Sequence, residues 1–288
     1  MVDCGSQKKS KEGKVFKYVK KYIDNVVGKN NTIDSVLITH GDTDHTAFLP
    51  HLSQTELPEC VIYGGKRKAL FQDNDVKEWI QGLEKQNKPP KTNVFKFEEN
   101  YFSMEPDADY GSPTNDGEPQ IYTLAANYQG RDLNSNSVVI LILYGDQGVI
   151  LTGDADDDTE AFISRTISPE LLKRCTLFML GHHGSYYSTS LEFLNATSPN
   201  FAVVSASGSN KSYGHPDCNI MGMVSAALKS VAINHSVVCS DGKSKPYKKS
   251  KTKKPLLVTA TNGDIRYVTD GINFKIMASS LDKKIIMD

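Results

Sequence analysis

The sequence predicts one layered α/β domain that spans residues 1–288. Short runs rich in β-branched residues alternate with segments of helical periodicity along the whole chain. No break in composition divides the chain, and it contains no internal repeat. Strands mixed with helices over the full length favour one layered domain over two separate domains.

The first half should begin with an amphipathic helix and continue in strands. Apolar residues recur at helical spacing over 15–27, with lysines on the opposite face. The strands predicted next are Val36–Thr39, Cys60–Tyr63, Val94–Phe97, Ile121–Leu124, Ser137–Tyr144 and Gly148–Thr152. The last two are joined by Gly145–Gln147, which is typical of a hairpin. Residues 98–120 are polar and contain proline and glycine, so we expect a long surface loop.

The second half continues the alternation of helices and strands. A helix should begin near Asp156–Asp158, because acidic residues suit a helix N-terminus. Another is expected at Thr189–Asn195 and ends before Ser198–Pro199. The remaining predicted elements are a helix at Asn219–Val231 and strands at Thr176–Leu180, Phe201–Ser205, Val237–Ser240, Leu256–Ala260 and Ile265–Val268.

Composition limits the cellular context. The formal net charge of −1 neither requires nor excludes a nucleic-acid or membrane partner. The longest uninterrupted apolar run, Val138–Leu143, is too short to cross a bilayer, and the first residues lack a secretory pattern. The cysteines are odd in number and lack CxxC spacing. We therefore expect reduced thiols in a cytoplasmic protein, at Cys4, Cys60, Cys175, Cys218 and Cys239.

The most specific motif follows the first predicted strand. His40, Asp42, Asp44 and His45 are four potential metal ligands within six residues. In an extended segment, residues two apart point the same way, so His40, Asp42 and Asp44 can converge on one side. Imidazole and carboxylate groups at a strand end are suited to hold a divalent cation.

Three later features add further ligands. Asp154 ends a second apolar strand, His182 and His183 end a third, and His215 lies in the loop after a fourth. Each feature alone is typical of an ordinary turn or a structural histidine. Together they place five of the seven histidines just after predicted strands or in the loop beyond one, which indicates a shared site. We interpret the other two, His51 and His235, as structural.

The order of these motifs resembles the metallo-β-lactamase fold, whose usual metal motif is His-x-His-x-Asp-His. This sequence has Asp42 at the second ligand position, and that variant is similar to the domain of ComEC-type DNA-uptake proteins and their soluble relatives. Supporting segments are Asp3–Gly5, Asn134–Ser137 and Thr261–Arg266. The resemblance implies an αββα sandwich, with two mixed sheets flanked by helices. The family usually has a strand pair before the Asp-x-Gly turn, whereas this sequence starts at that turn, so either the first strands are missing or the chain is a truncated form. The membrane part of the DNA-uptake proteins is missing too, and DNA transport through this chain is not expected.

The resemblance also implies a two-metal site. His40 and Asp42 would hold one ion, Asp44 and His45 the other, and Asp154 would bridge both. His215 and one of the His182–His183 pair would complete the ligands; we favour His183, although the sequence does not separate the two. An aspartate at position 42 adds a hard oxygen ligand, which favours manganese or magnesium over zinc.

A two-metal centre of this kind suits hydrolysis of a phosphodiester by a metal-activated water. Asp44 is the candidate proton acceptor and His182 the candidate proton donor. Ser185 and Tyr213 are candidates for contact with the substrate. The Gly184–Ser185 pair fits a tight turn equally well.

A lysine-rich segment, Lys243–Lys254, contains seven lysines in twelve residues between two predicted strands. We expect a mobile hairpin loop there. It is either a solvated charged loop or an arm that binds nucleic acid near the site.

Three functions remain open on the sequence. The first is a metal-dependent hydrolase of phosphodiesters, such as a nuclease. The second is a small-molecule phosphodiesterase similar to phosphorylcholine esterases, which should depend far less on salt. The third is a binding or regulatory module that keeps the fold without catalysis. The presence of a ligand residue at every predicted position argues against this third function. A β-lactam substrate is not expected, because nothing indicates a secreted protein.

Overall fold

The computed structural model describes residues 1–6, 13–28, 33, 35–52, 58, 60–64, 73–85, 91–94, 119–128, 132–210, 212–280 and 284–285. Most of the expected surface loop, residues 98–118, lies outside these described residues. Residues 95–97 of the strand predicted at Val94–Phe97 also lie outside them.

Helices and strands alternate along the described chain. The helices are α1 Lys14–Val27, α2 Thr43–Thr46, α3 Leu49–Leu52, α4 Asn74–Glu84, α5 Asp157–Thr166, α6 Pro169–Leu172, α7 Leu191–Thr197, α8 Cys218–Ala227 and α9 Thr259–Asn262. The strands are β1 Ser35–Ile38, β2 Cys60–Tyr63, β3 Lys91–Val94, β4 Gln120–Ala125, β5 Val139–Tyr144, β6 Gln147–Leu151, β7 Cys175–Met179, β8 Phe201–Val204, β9 His235–Ser240, β10 Tyr247–Thr252, β11 Leu256–Val258, β12 Ile265–Thr269, β13 Phe274–Ala278 and β14 Lys284–Ile285.

A six-stranded mixed sheet forms the centre, in the order β11-β8-β7-β6-β5-β4. Its β5–β6 hairpin closes where Tyr144 pairs with Gln147, and Gly145 at the turn has a φ of 55°, which glycine adopts without strain. Strands β6, β7, β8 and β11 run parallel, so the loops that follow β6, β7 and β8 all begin at one edge of the sheet. That edge carries the predicted ligands Asp154, His182 and His183.

One face of the central sheet packs against helices. Alternate sheet residues such as Ile150 and Phe178 share a buried cluster with Ile163 of α5, Phe193 of α7 and Val224 of α8. Parallel strands that are covered on both faces are almost continuously buried and apolar, as β7 illustrates.

The opposite face packs against a second β layer. Leu37 of β1 joins Ile140 of β5, while Ile276 of β13 joins Leu177 of β7. The second layer comprises the parallel sheet β1-β2-β3 and the antiparallel sheet β12-β13-β14.

Further helices cover the outside of this second layer. Ile80 of α4 packs with Ile38, and Tyr18 of α1 donates a hydrogen bond to Asp264 beside β12. The predicted αββα layering is therefore confirmed. At the N-terminus, Val2 forms a single parallel bridge with Leu37 of β1.

Several predictions about individual segments were wrong. Cys218 and Cys239 form a disulfide, whereas Cys4 and Cys175 are free, so the expected set of reduced thiols is corrected. The cysteines therefore do not support the expected cytoplasmic location. Much of Lys243–Lys254 is a strand and not a mobile loop, because Tyr247–Thr252 pair in register with β9. The strand predicted at Leu256–Ala260 stops at Val258, and α9 begins at the next residue, Thr259.

The sequence also missed a strand at Phe274–Ala278, which pairs with β12. Within the described residues, no helix is long and apolar enough to cross a membrane.

Candidate metal centre

The predicted ligands meet where four strands end. His40 follows β1, Asp154 follows β6, and the His182–His183 pair follows β7. Ser205, which follows β8, supplies a carbonyl to the same place. Because the parallel strands β6, β7 and β8 share one C-terminal edge, residues far apart in sequence converge there.

His45 is held by Asp3, a residue from the start of the chain. The His45 Nδ1 lies 2.8 Å from an Asp3 carboxylate oxygen, so Nδ1 carries the proton. Asp3 also accepts from the Thr39 amide and the Thr39 hydroxyl, both at 2.7 Å. The Nε2 lone pair of His45 therefore points away from Asp3 and into the site.

His40 is oriented through the same threonine. The hydroxyl of Thr39 donates to Asp3, so toward His40 it can only accept. The His40 Nδ1, 3.1 Å away, therefore donates, and the longer contact to the Ser137 hydroxyl measures 3.4 Å. This leaves the Nε2 of His40 unprotonated.

His183 is fixed by a backbone carbonyl. Its Nδ1 donates to the Ser205 carbonyl oxygen at 2.7 Å, because a carbonyl can only accept. Its Nε2 is again left with a lone pair that faces the site.

These three Nε2 atoms are buried and face carboxylates, and none has a hydrogen-bond partner among the residues that the structure describes. His45 Nε2 lies 3.2 Å from Asp154 Oδ1, and His183 Nε2 lies 3.3 Å from Asp44 Oδ2. His40 Nε2 lies 3.7 Å from Asp154 Oδ2. Lone pairs facing carboxylates repel unless a cation or a proton lies between them. The donor set therefore fits a divalent metal.

The ligand atoms form two overlapping groups, each within 4.8 Å. One contains His40, His45 and Asp154, and the other contains Asp44, His45 and His183. The resemblance instead pairs His40 with Asp42. The structure has Asp42 beside His40, at 3.7 Å between carboxylate oxygen and Nε2, with about half of its side chain exposed.

His182 and His215 lie beside these groups. The His182 Nε2 is 3.7 Å from Asp154 Oδ2, and its ring centroid is 5.1 Å from that of His215. The Asn134 amide nitrogen lies 3.5 Å from His182 Nδ1. This long contact is consistent with a proton on Nε2, toward the site.

Charge and burial shift the titration of the cluster in opposite directions. Burial alone would raise the pKa of Asp154, but its contact with His45 and the other nearby imidazoles outweighs burial, so the pKa is lowered. Burial would lower the pKa of His45, yet Asp154 and Asp3 raise it well above its ordinary value, so without a metal a proton on Nε2 can take the place of the cation between His45 and Asp154. Burial, aided by His182 and His183, lowers the pKa of His215 to about 4. Asp154, and Asp44 with a pKa that is also lowered, therefore stay ionised at neutral pH, as cation ligands must.

The backbone at His182 and His183 adopts a left-handed conformation. Their backbone φ angles are 45° and 56°, values that residues other than glycine rarely adopt. Each such residue costs on the order of 1–3 kcal/mol and persists only where its surroundings enforce it. The turn directs both imidazoles toward Asp154.

A cleft of about 780 Å³ leads to the cluster. The cleft is lined by Asn134 and by most of the predicted site residues, which are Asp42, Asp44, Asp154, His182, His183, Tyr213 and His215. Ser185 does not line it: the residue is 2% exposed, and its hydroxyl accepts from the Tyr187 amide within the turn. That placement favours the alternative role of the Gly184–Ser185 pair as a turn.

Sequence reasoning missed the residues that orient the ligands. Asp3, Thr39 and Ser205 determine the protonated nitrogen of three histidines, and Asn134 contacts a fourth. Asp3 and Asn134 belong to segments that supported the resemblance, but only the folded chain brings them to the histidines.

Comparison with known proteins gives short matches. The chain is 39% identical to "Competence protein ComA" of Neisseria gonorrhoeae over 85 residues, which is 30% of this chain and 12% of the relative. It is 38% identical to "Recombination protein 2" of Haemophilus influenzae over 25% of this chain and 9% of the relative. It is 33% identical to "ComE operon protein 3" of Bacillus subtilis over 31% of this chain and 11% of the relative. The matched region is thus about a tenth of each relative, and no protein-family model matches the chain.

Among solved structures, the chain is similar to CmlA, a diiron β-hydroxylase from Streptomyces venezuelae. The TM-score is 0.35 at 13% identity, over 60% of this chain and 35% of CmlA. A mutant of the CmlA β-hydroxylase gives a TM-score of 0.37, also at 13% identity, over 60% of this chain and 36% of the mutant. Similarity at this level does not establish a shared activity.

Proposed function

We propose that the chain is a metal-dependent phosphodiesterase of the metallo-β-lactamase superfamily and that its substrate is a nucleic acid. The observation that carries the proposal is the set of three buried histidine Nε2 atoms that face Asp44 and Asp154 and have no hydrogen-bond partner among the described residues. Two overlapping ligand groups support two ions, and Asp42 at the rim supports manganese or magnesium.

Divalent ions bound there would lower the pKa of a bound water and neutralise charge on a phosphodiester. The protein contributes orientation and proton transfer. Asp44 lies in the cleft with its carboxylate ionised, so it can accept a proton from the attacking water. His182 also lines the cleft and can donate to the departing oxygen through Nε2.

A nucleic-acid substrate is supported by two features. The names of the relatives, competence and recombination proteins, agree with it. The cleft is also bordered by the loop of Tyr213, which contacts the lysine-rich segment.

The test is hydrolysis of bis(p-nitrophenyl) phosphate by protein stripped with a chelator and reloaded with Mn²⁺, Mg²⁺ or Zn²⁺. We expect activity to return with Mn²⁺ and to fall by about 10²-fold or more in Asp44→Asn. Asp146→Asn, an exposed change in the β5–β6 turn, is the matched control. Absence of hydrolysis with every metal would contradict the proposal, and recovery with Zn²⁺ alone would contradict the preference for manganese.

A further inference from the structure

We propose that a single strand of nucleic acid leaves the metal centre over Tyr213 and continues along strand β10. This inference rests on the proposed phosphodiesterase function and adds the form and the path of the substrate. The path combines an aromatic residue at the cleft with lysines on the β9–β10 pair, His235–Thr252, here called the basic hairpin.

The basic hairpin is attached directly to the wall of the cleft. The Tyr247 hydroxyl lies 2.7 Å from the His215 carbonyl and 3.0 Å from the Asn210 carbonyl, both in the loop that borders the site. The Ser240 amide donates to the Pro216 carbonyl at 2.9 Å. Strand β10 therefore starts at the cleft.

Tyr213 lies next to the turn of the basic hairpin. A Cβ atom at Gly214 would lie 2.4 Å from the Gly242 backbone and 2.8 Å from the Lys243 amide nitrogen, so the two loops touch. Thirty residues separate Tyr213 from Lys243 in the sequence, and only the fold brings the aromatic residue and the lysines together.

The lysines that follow are arranged along one face. Residues two apart in a strand lie on the same side and roughly 7 Å apart, so Lys249 and Lys251 share the face of Tyr247. Both are exposed, and in the described part of the chain neither forms an ion pair. Lys248, on the other face, pairs instead with Asp241. Two unpaired charges in line with the cleft suit successive phosphates of an extended strand.

Tyr213 provides a surface on which a base can stack. Its side chain is 54% exposed although it lines the cleft. Its ring lies nearly parallel to that of His215, at 22° and 6.0 Å between centroids. An exposed ring beside a basic groove is the usual combination for single-stranded nucleic acid, since bases must be unstacked to reach it.

Lysines on an edge strand also prevent strands from pairing between molecules. That role explains the charge, but it does not explain why the lysine face begins at the cleft beside an exposed tyrosine. Duplex DNA and an acidic protein are the other candidate partners, and the experiment separates them.

The test measures binding of a fluorescent phosphorothioate oligothymidylate of about 20 nucleotides to metal-loaded protein by anisotropy. Tyr213→Ala should weaken binding about tenfold, whereas Tyr213→Phe should bind as wild type does. Lys249→Gln with Lys251→Gln should weaken binding several-fold and reduce the salt slope by about 1.4, at roughly 0.7 per phosphate contact. The control, Lys85→Gln with Lys173→Gln, removes two exposed lysines elsewhere and should change neither.

The path is wrong if either set of variants binds like wild type, or if a duplex or poly-glutamate competes as well as the single strand. Hydrolysis of bis(p-nitrophenyl) phosphate by the wild type reports on the proposed function separately. Hydrolysis without these binding effects would overturn the path alone, and absence of hydrolysis would overturn the function beneath it.

Discussion

Replacing Asp3 by asparagine tests how the metal ligands are oriented. One Asp3 oxygen accepts from the Thr39 amide, and the other accepts from the Thr39 hydroxyl and His45 Nδ1. An asparagine can keep the first bond through its amide oxygen. Its NH₂ group then replaces the oxygen that accepts from the Thr39 hydroxyl and His45 Nδ1, and an NH₂ group cannot accept from these two donors. His45 then loses the partner that keeps its proton on Nδ1, and the tautomer with an unprotonated Nε2 is no longer favoured.

The size of the effect follows from the lost bonds. A hydrogen bond to a charged group contributes about 1.5–3 kcal/mol, so the free energy of unfolding should fall by about 2 kcal/mol or more. Loss of the carboxylate behind a metal-binding histidine typically weakens metal affinity by about 10- to 100-fold.

The assay is a Mn²⁺ titration in competition with a fluorescent chelator, alongside urea unfolding of the metal-free protein. The control for a lost surface charge is Asp24→Asn, a half-exposed carboxylate whose ion pair in the described part of the chain is with Lys20 on α1. Asp3→Asn with wild-type metal affinity would refute the reasoning. Lower stability alone, without weaker metal binding, would show that Asp3 supports the fold and not the ligands.

Other predictions concern stability. Burial raises the pKa of Glu160 to about 8, so between about pH 4.5 and 8 the folded chain holds a proton that the unfolded chain releases. Stability should fall by about 1.4 kcal/mol per pH unit across that window relative to Glu160→Gln, as urea unfolding at several pH values would show, and parallel curves would refute it. Reducing the Cys218–Cys239 disulfide, which joins residues 21 apart, should cost about 3 kcal/mol in the same assay; an unchanged midpoint with dithiothreitol would contradict this. Gly153→Ala should cost about 2 kcal/mol or more because φ is +54° and the new Cβ would meet a threonine at 2.7 Å. Gly222→Ala, in open space on α8, should instead be neutral or stabilising by up to ~1 kcal/mol, and equal effects at the two glycines would contradict the account.

Much of the fold and most of the candidate ligands could be predicted from local patterns. Strands such as β5 are apolar because both faces are buried, and the turn at Gly145 marks where the hairpin closes. The sequence predicts His40 and Asp154 as candidate ligands because polar residues that follow apolar strands can converge where the strands end.

The rest depends on contacts that sequence patterns do not contain. Asp3 reaches His45 only because Val2 bridges to β1, and nothing near Asp3 in the sequence indicates that contact. The Cys218–Cys239 pairing likewise depends on α8 beginning beside β9. The composition of the lysine-rich segment is typical of a loop, but pairing with the buried β9 makes Tyr247–Thr252 a strand.

Metal content tests the central claim most directly. The measurement is elemental analysis of purified wild-type protein and of the Asp154→Ala variant, which removes the carboxylate that faces His40 and His45. The control is Asp146→Ala, which removes an exposed carboxylate. We expect about two equivalents of a divalent metal in the wild type and the control, and half or less in Asp154→Ala. Protein that carries no metal and takes up neither Mn²⁺ nor Zn²⁺ on titration would contradict the account.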